Sequence, residues 1–239
     1  YRQSWLGLVW VVLTPLMMLA VYTLVFRHVM RVRWHGMEEG NLAFALRIYA
    51  GLAVFNFFAE CVNRAPTLVL EQPHLVKKVV FPLEILPWAG AASACVGLAV
   101  SGGLMMVLAA LSAGGLPVTV VALPLVWLPL LPLVLGLGWL LAGVGTYVRD
   151  VGQLLGMVVS ALMFLSPIFF PVEALPESVR GWMLLNPLAW VMTGTRDVLV
   201  TGRWPDWGAL ALLFAACTGV AMVGAAFFRK ARVGFSDVV

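Results

Sequence analysis

Charged residues punctuate this chain into long apolar stretches. Residues 3–26 (24 positions) carry no charge, residues 85–148 run for 64 positions without one, and 151–172 and 207–228 give 22 each. A helix crosses the roughly 30 Å hydrocarbon core of a bilayer with about 20 residues. The longest stretch therefore holds two crossings, with the turn expected at Ser112-Ala113-Gly114-Gly115-Leu116-Pro117. Five spans follow from the charge-free windows. A sixth is expected at 42–62, where Arg47 and Glu60 sit near opposite ends and can snorkel to the interfaces. The pattern predicts an all-α membrane protein: one transmembrane domain over 1–239 with six transmembrane helices, at about 5–26, 42–62, 86–111, 117–143, 151–170 and 208–228.

Residues 166–207 do not read as a plain span. They run Ser166-Pro167-Ile168-Phe169-Phe170-Pro171, then Leu175-Pro176-Glu177, then Asn186-Pro187-Leu188-Ala189-Trp190. Asn186 is a good helix N-cap, and Pro187 suits the first helical position. The pieces 175–184 and 187–200 are too short to cross. The expectation is two short re-entrant helices between the fifth and sixth spans, within 171–200. Irregular backbone at membrane depth survives only against protein or a water-filled cavity. A hairpin lying on the membrane surface is the other reading.

Composition agrees with lipid as the solvent. Apolar residues make up 62% and charged residues 11%, and the mean hydropathy is +1.00. Soluble domains average roughly 45–50% apolar and about 25% charged. A soluble enzyme, a disulfide scaffold and a disordered chain are thereby excluded. The net charge of +4 is scattered, with no basic stripe, so nucleic acid is not an expected partner. Cys61, Cys95 and Cys217 lie in apolar stretches and read as packing. Topology from charge is nearly balanced. Eight Lys and Arg fall on the side of the termini and seven on the other, and all three Lys fall with the termini. The chain begins at Tyr1 without Met, so upstream residues are expected.

Small residues recur every fourth position at Ala89, Ser93, Gly97 and Ser101, and again at Ala211, Ala215 and Gly219. Such faces let helices approach closely, within one subunit or between two. Pro15 interrupts the first span, and Pro124, Pro129 and Pro132 the fourth. A kinked helix can line a path or merely bend around its neighbours.

Chemistry of its own is hard to find here. No Gly-rich turn precedes Lys77, Lys78 or Lys230, so the chain has no phosphate-cradling loop for ATP. His28, His35 and His74 lack metal-ligand spacing, and no nucleophile elbow is present. No catalytic residue and no metal ligand are assigned. Spans three to six hold no ionisable residue that would couple transport to protons or ions. Residues 64–84 are the exception in character: a short amphipathic, proline-bounded segment containing Glu71, Lys77, Lys78 and Glu84. Spacing leaves open whether it is an ordinary interfacial loop or a rigid piece that transmits a push.

Here the residues become familiar. Asn56-Phe57-Phe58-Ala59-Glu60, Asn63-Arg64 and Leu75-Val76-Lys77-Lys78-Val79-Val80-Phe81-Pro82-Leu83-Glu84-Ile85-Leu86-Pro87 resemble the membrane subunit of polysaccharide ABC exporters, in particular the O-antigen export permease. Tyr1-Arg2-Gln3-Ser4-Trp5-Leu6-Gly7 with Trp10, Leu13 and Pro15 agrees, as do Tyr147-Val148-Arg149-Asp150-Val151-Gly152-Gln153, Ser166-Pro167-Ile168-Phe169, and Asn186-Pro187-Leu188-Ala189 with Arg196-Asp197. Each motif is weak alone; their order along almost the whole chain is specific.

The resemblance implies a six-span subunit of the bacterial inner membrane that pairs with a second copy of itself. Each copy would dock one P-loop ATPase subunit, both termini being cytoplasmic. ATP and Mg would be bound by that partner, so no cofactor is expected in this chain. The 64–84 segment matches the family's coupling helix, which makes Gln72, Pro73, His74, Leu75, Val76, Lys77 and Lys78 candidates for ATPase contact. Arg149 and Asp150 fall in the matching second cytoplasmic turn. Residues 166–200 match the family's re-entrant gate helices, and its amphipathic helix before the first span would lie upstream of Tyr1. The loop 27–40 departs from expectation, with Arg27, Arg31 and Arg33 on the outer side. An anionic glycan or a lipid headgroup would suit them.

The expected cargo is an undecaprenyl-type lipid-linked glycan. Aromatic side chains suit the apolar faces of sugar rings, so Trp5, Trp10, Tyr22, Phe26, Phe164, Phe169 and Phe170 are candidate lining residues. Aromatic residues near helix ends are also ordinary interface anchors. Arg2 is a candidate for the lipid phosphate. Export of capsule, teichoic acid or a smaller lipid or drug is the alternative within the class. A membrane-embedded enzyme on polyprenyl-linked sugars is the alternative outside it.

Overall fold

A computed structural model describes residues 7–25, 40–74, 82–148, 150–172 and 175–237 of the chain. Among these the regular structure is helical: α1 (Gly7–Thr23), α2 (Asn41–Arg64), α3 (Ile85–Ala113), α4 (Leu123–Trp127), α5 (Leu130–Tyr147), α6 (Val151–Leu165), α7 (Glu177–Leu184), α8 (Pro187–Arg196) and α9 (Trp207–Ala231). Short 3-10 turns occupy Ala65–Thr67, Val118–Ala122 and Arg232–Asp237, and a π turn occupies Asp197–Thr201. The all-α expectation is met. Among the described residues, four stretches are long and apolar enough to cross a membrane: Asn41–Thr67, Ile85–Ser112, Val118–Tyr147 and Trp207–Phe235.

Helix ends follow local chemistry. Asp206 caps α9, its carboxylate accepting from the Gly208 and Ala209 amides at 2.9 and 3.1 Å. Asn186 caps α8 by accepting from the Leu188 amide at 3.0 Å, with Pro187 in the first turn as expected. The turn after α3 falls where the sequence predicts it, with Gly114 at φ 69°, a left-handed backbone that favours glycine. Pro129 marks the break between α4 and α5, whereas α1 continues through Pro15. Helix α6 covers 15 residues and stops before Ser166-Pro167, which continue without helix.

The chain divides into two compact units. The first comprises Tyr1–Val54, Gly97–Leu123 and Ser166–Pro205; the second comprises Phe55–Val96, Pro124–Leu165 and Asp206–Val239. In the second, α5 and α9 pack with their backbones in contact. A Cβ on Gly136 would lie 2.7 Å from the Ala221 backbone, and one on Gly224 would run into the Gly136 backbone. Close approach of this kind replaces the hydrophobic drive that lipid removes, because dispersion and backbone contact then hold the helices together. Of the small-residue stripes, Ala89, Ser93, Gly97, Ala211 and Ala215 are exposed, and a Cβ on Gly97 or Gly219 would meet nothing within 4 Å, whereas Ser101 is half-buried and hydrogen-bonds Tyr49.

Candidate functional site

Two groups of residues organise the two units. In the first unit, the segment after α6 is held by polar contacts at apolar depth. Ser166 is fully buried, and its hydroxyl oxygen accepts from Asn186 Nδ2 at 3.2 Å. The same Asn186 caps α8, so one amide fixes both the helix start and the segment in front of it. The Ile168 amide donates to the Ser166 carbonyl at 2.7 Å. The Ile168 carbonyl accepts from Arg196 Nη2 at 2.8 Å, and Arg196 Nε donates to the Arg47 carbonyl of α2 at 2.9 Å. Arg196 is 4% exposed. Its rigid fork of donors suits this two-carbonyl grip, which a point charge on a flexible stem would not reproduce. Gly51 makes the grip possible: a Cβ there would sit 2.7 Å from Nη2.

The continuation of α8 is tied in the same manner. Thr119 Oγ1 donates to the Val198 carbonyl at 2.7 Å across 79 residues of sequence. Gly202 ends the π turn in the left-handed region at φ 65°. The Arg203 amide then donates to the Asp197 carbonyl at 3.0 Å. Buried backbone groups of this irregular segment thus find partners inside protein, as they must where water is absent.

Of the candidate lining residues, this unit brings Tyr22 and Phe169 together, with ring centroids 5.4 Å apart and planes tilted by 47°. Phe169 is buried, and Tyr22 and Phe170 are half-buried. Phe164 is 64% exposed on α6 of the second unit. Trp10 lies in α1. Trp5, Phe26 and Arg2 lie outside the described residues.

In the second unit, the expected coupling segment leaves α2 through Ala65–Thr67, where Pro66 cannot donate to the preceding turn. The exit is pinned by packing. Leu68 and Val69 are buried, and Gly145 admits Pro66 so closely that a Cβ there would lie 2.6 Å from the Pro66 carbonyl oxygen. Beyond them Glu71, Pro73 and His74 are exposed and Gln72 is half-buried. The Thr67 hydroxyl reaches the Glu71 carboxylate at 2.8 Å. Leu75, Val76, Lys77, Lys78 and Arg149 lie outside the described residues; Asp150 is exposed.

Where the segment returns, Glu84 is gripped twice. Trp139 Nε1 of α5 donates to its carbonyl at 3.0 Å, and Arg232 forms an ion pair with its carboxylate. Tyr147, at the end of α5, donates its hydroxyl to the Ala231 carbonyl at 2.7 Å. The ends of α2, α5 and α9 and the start of α3 therefore meet. A void among Glu60, Cys61, Arg64, Pro87 and Val134 has about 10 Å³, space for roughly one water and not for a sugar ring.

Arg196, Gly51 and Ser166 were not among the expected site residues, nor was the Glu84–Arg232 pair. The pairing of Arg196 with Asp197 in the family-like motif was the available signal for the first. No sequence signal joins Glu84 to Arg232, which lie 148 positions apart.

A helical chain with several long apolar helices among its described residues suits a membrane permease. The sequence profile of the ABC-2 type transporter family matches residues 1–200, and the chain belongs to that family. It is a multi-pass membrane permease, and as such does not itself hydrolyse ATP; permeases of this type pair with ATPase subunits. Among curated proteins it is 28% identical over 241 residues to a protein of Myxococcus xanthus named O-antigen export system permease protein RfbA, covering all of this chain and 90% of that one. Two proteins of Klebsiella pneumoniae with the same name are 21% and 20% identical, with the same coverage.

Proposed function

We propose that this chain is the transmembrane subunit of an ATP-driven exporter that moves lipid-linked polysaccharide of the O-antigen type across the bacterial inner membrane. The observation that carries the proposal is end-to-end similarity to three relatives named as O-antigen export permeases. In this reading the chain has six spans and two re-entrant helices between the fifth and sixth. It forms a homodimer and docks one ATPase subunit per copy, with both termini cytoplasmic. ATP and Mg belong to that partner. Gln72 to Lys78, with Arg149 and Asp150, meet the ATPase. The exposed small-residue faces of α3 and α9 offer a second copy a place to approach closely.

ATP closes the ATPase pair. That motion pushes the two 64–84 segments and separates the two membrane subunits. The lipid-pyrophosphate end engages first, with Arg2 on the phosphate, and the glycan threads after it along Trp5, Trp10, Tyr22, Phe26, Phe164, Phe169 and Phe170. The contact of Tyr22 with Phe169 supports an aromatic lining at the segment 166–171. Its carbonyl-clamped backbone suits a gate.

Gentle affinity purification from native membranes tests the reading. A P-loop ATPase at one copy per chain is expected. Accumulation of a lipid-linked glycan in a strain lacking the chain is expected to identify the cargo. Accumulation of a capsule or teichoic acid polymer would change the cargo and keep the class. Product formed on a polyprenyl-linked sugar by the purified chain, without ATP or partner, would replace the proposal with an enzyme. Lys77→Glu with Lys78→Glu is expected to abolish ATPase docking; unchanged docking and export would remove the coupling assignment.

A further inference from the structure

The turn Arg232–Asp237 that follows α9 is held by several specific contacts. Phe235 is fully buried, 5.5 Å from Phe228 of α9 and 5.8 Å from Tyr147 of α5, measured between ring centroids. Gly234 passes so close to Tyr147 that a Cβ would lie 2.5 Å from the phenol oxygen. The phenol in turn donates to the Ala231 carbonyl, which fixes the point where α9 becomes the turn. The turn is therefore seated by shape and by a hydrogen bond, and its first residue reaches Glu84.

The Glu84–Arg232 pair is a different kind of contact. Its side chains are 46% exposed for Arg232 and 27% for Glu84. An ion pair so open to solvent contributes little to stability, because water screens it and two flexible side chains must be ordered. Its value is positional. Glu84 ends the 64–84 segment and starts α3, and its carbonyl is already held by Trp139 of α5. With Arg232 on its carboxylate, Glu84 is joined to both α5 and α9.

We propose that the turn Arg232–Asp237 is a brace that ties the Glu84 end of the 64–84 segment to the Tyr147 end of α5, so that displacement of that segment carries α5 and α9 with it. The proposal rests on the reading of 64–84 as the segment an ATPase pushes. Without the brace, the push would be absorbed at the turn into α3. ATP would still be hydrolysed, but the membrane helices would follow poorly.

The test uses the whole permease–ATPase complex, purified and reconstituted, with ATP hydrolysis and glycan export measured together. Arg232→Glu is expected to leave chain level and ATPase co-purification unchanged, and to cut glycan moved per ATP several-fold. Glu84→Arg should do the same. The exchanged double variant, Glu84→Arg with Arg232→Glu, restores the pair and should restore the ratio. Phe235→Ala, which unseats the turn while leaving both charges, should lower the ratio again. A wild-type ratio in both Arg232→Glu and Phe235→Ala would overturn the brace while leaving the transporter reading intact. A double variant that stays uncoupled would also overturn it. If Arg232→Glu is lost from the membrane, Arg232→Gln decides, since it removes the pair without setting a like charge beside Glu84; a wild-type ratio in that variant would overturn the brace. Failure of the wild-type chain to bring down an ATPase would instead overturn the reading beneath the proposal, and the brace with it.

Discussion

Arg196 and Arg232 make an instructive pair. Both are single cations that join segments far apart in sequence, across 149 and 148 residues respectively. Arg196 is 4% exposed and donates to two backbone carbonyls; Arg232 is about half exposed and meets a carboxylate. The first holds the buried Ile168 carbonyl, which lies outside any helix, so losing it leaves that group orphaned. The second can be replaced by solvent. The same residue type is a stability element in one unit and a positional element in the other, and burial makes the difference.

The comparison can be broken most directly at Arg196. Arg196→Met is expected to cost about 1–3 kcal/mol for the buried Ile168 carbonyl left unpaired. Thermal unfolding of the purified chain should show it, together with a loss of chain from the membrane. Gly224→Ala comes next, at about 1–3 kcal/mol, because the added methyl meets the Gly136 backbone where no flexible side chain can yield. Retention of a wild-type Tm there would mean that α5 and α9 do not pack backbone to backbone. Asn186→Ala should cost about 1 kcal/mol for the lost cap of α8. It also frees Ser166, so proteolysis after α6 should accelerate. Arg232→Gln closes the series, at about 0–1 kcal/mol. A fall in Tm as large as that of Arg196→Met would erase the distinction drawn between the two cations.

Burial does not follow apolarity among the candidate spans, which explains much of what sequence reading caught and missed. The stretch Asn41–Thr67 is the least apolar of the four candidate spans, yet 72% of its apolar window is buried; Trp207–Phe235 is more apolar and 11% buried. In water those numbers would be reversed. In lipid an apolar face carries no instruction to turn inward. Reading Ala89-Ser93-Gly97 and Ala211-Ala215-Gly219 as helix contacts therefore identified faces that this chain leaves open. The glycines that do meet a neighbouring backbone, Gly136, Gly145 and Gly224, were not singled out, since a glycine's partner is not encoded in its own spacing.

Local chemistry was far more legible. The windows between charges, the turn at Gly114, the cap at Asn186 and the break at Pro129 follow from interactions within a few residues. Backbone donors near a helix start need an acceptor close by, and proline removes a donor wherever it stands. These requirements are local, so the sequence alone determined that the chain is helical and membrane-embedded, and where several of its turns and caps fall. Its ordered motifs also pointed to the ABC-2 type permeases. Tertiary structure alone decided which backbones touch, that Arg196 grips Ile168 and Arg47, and that the C-terminal turn reaches Glu84. Those contacts join residues tens to more than a hundred positions apart. Their existence depends on where whole helices lie, and no spacing rule along the chain carries that information.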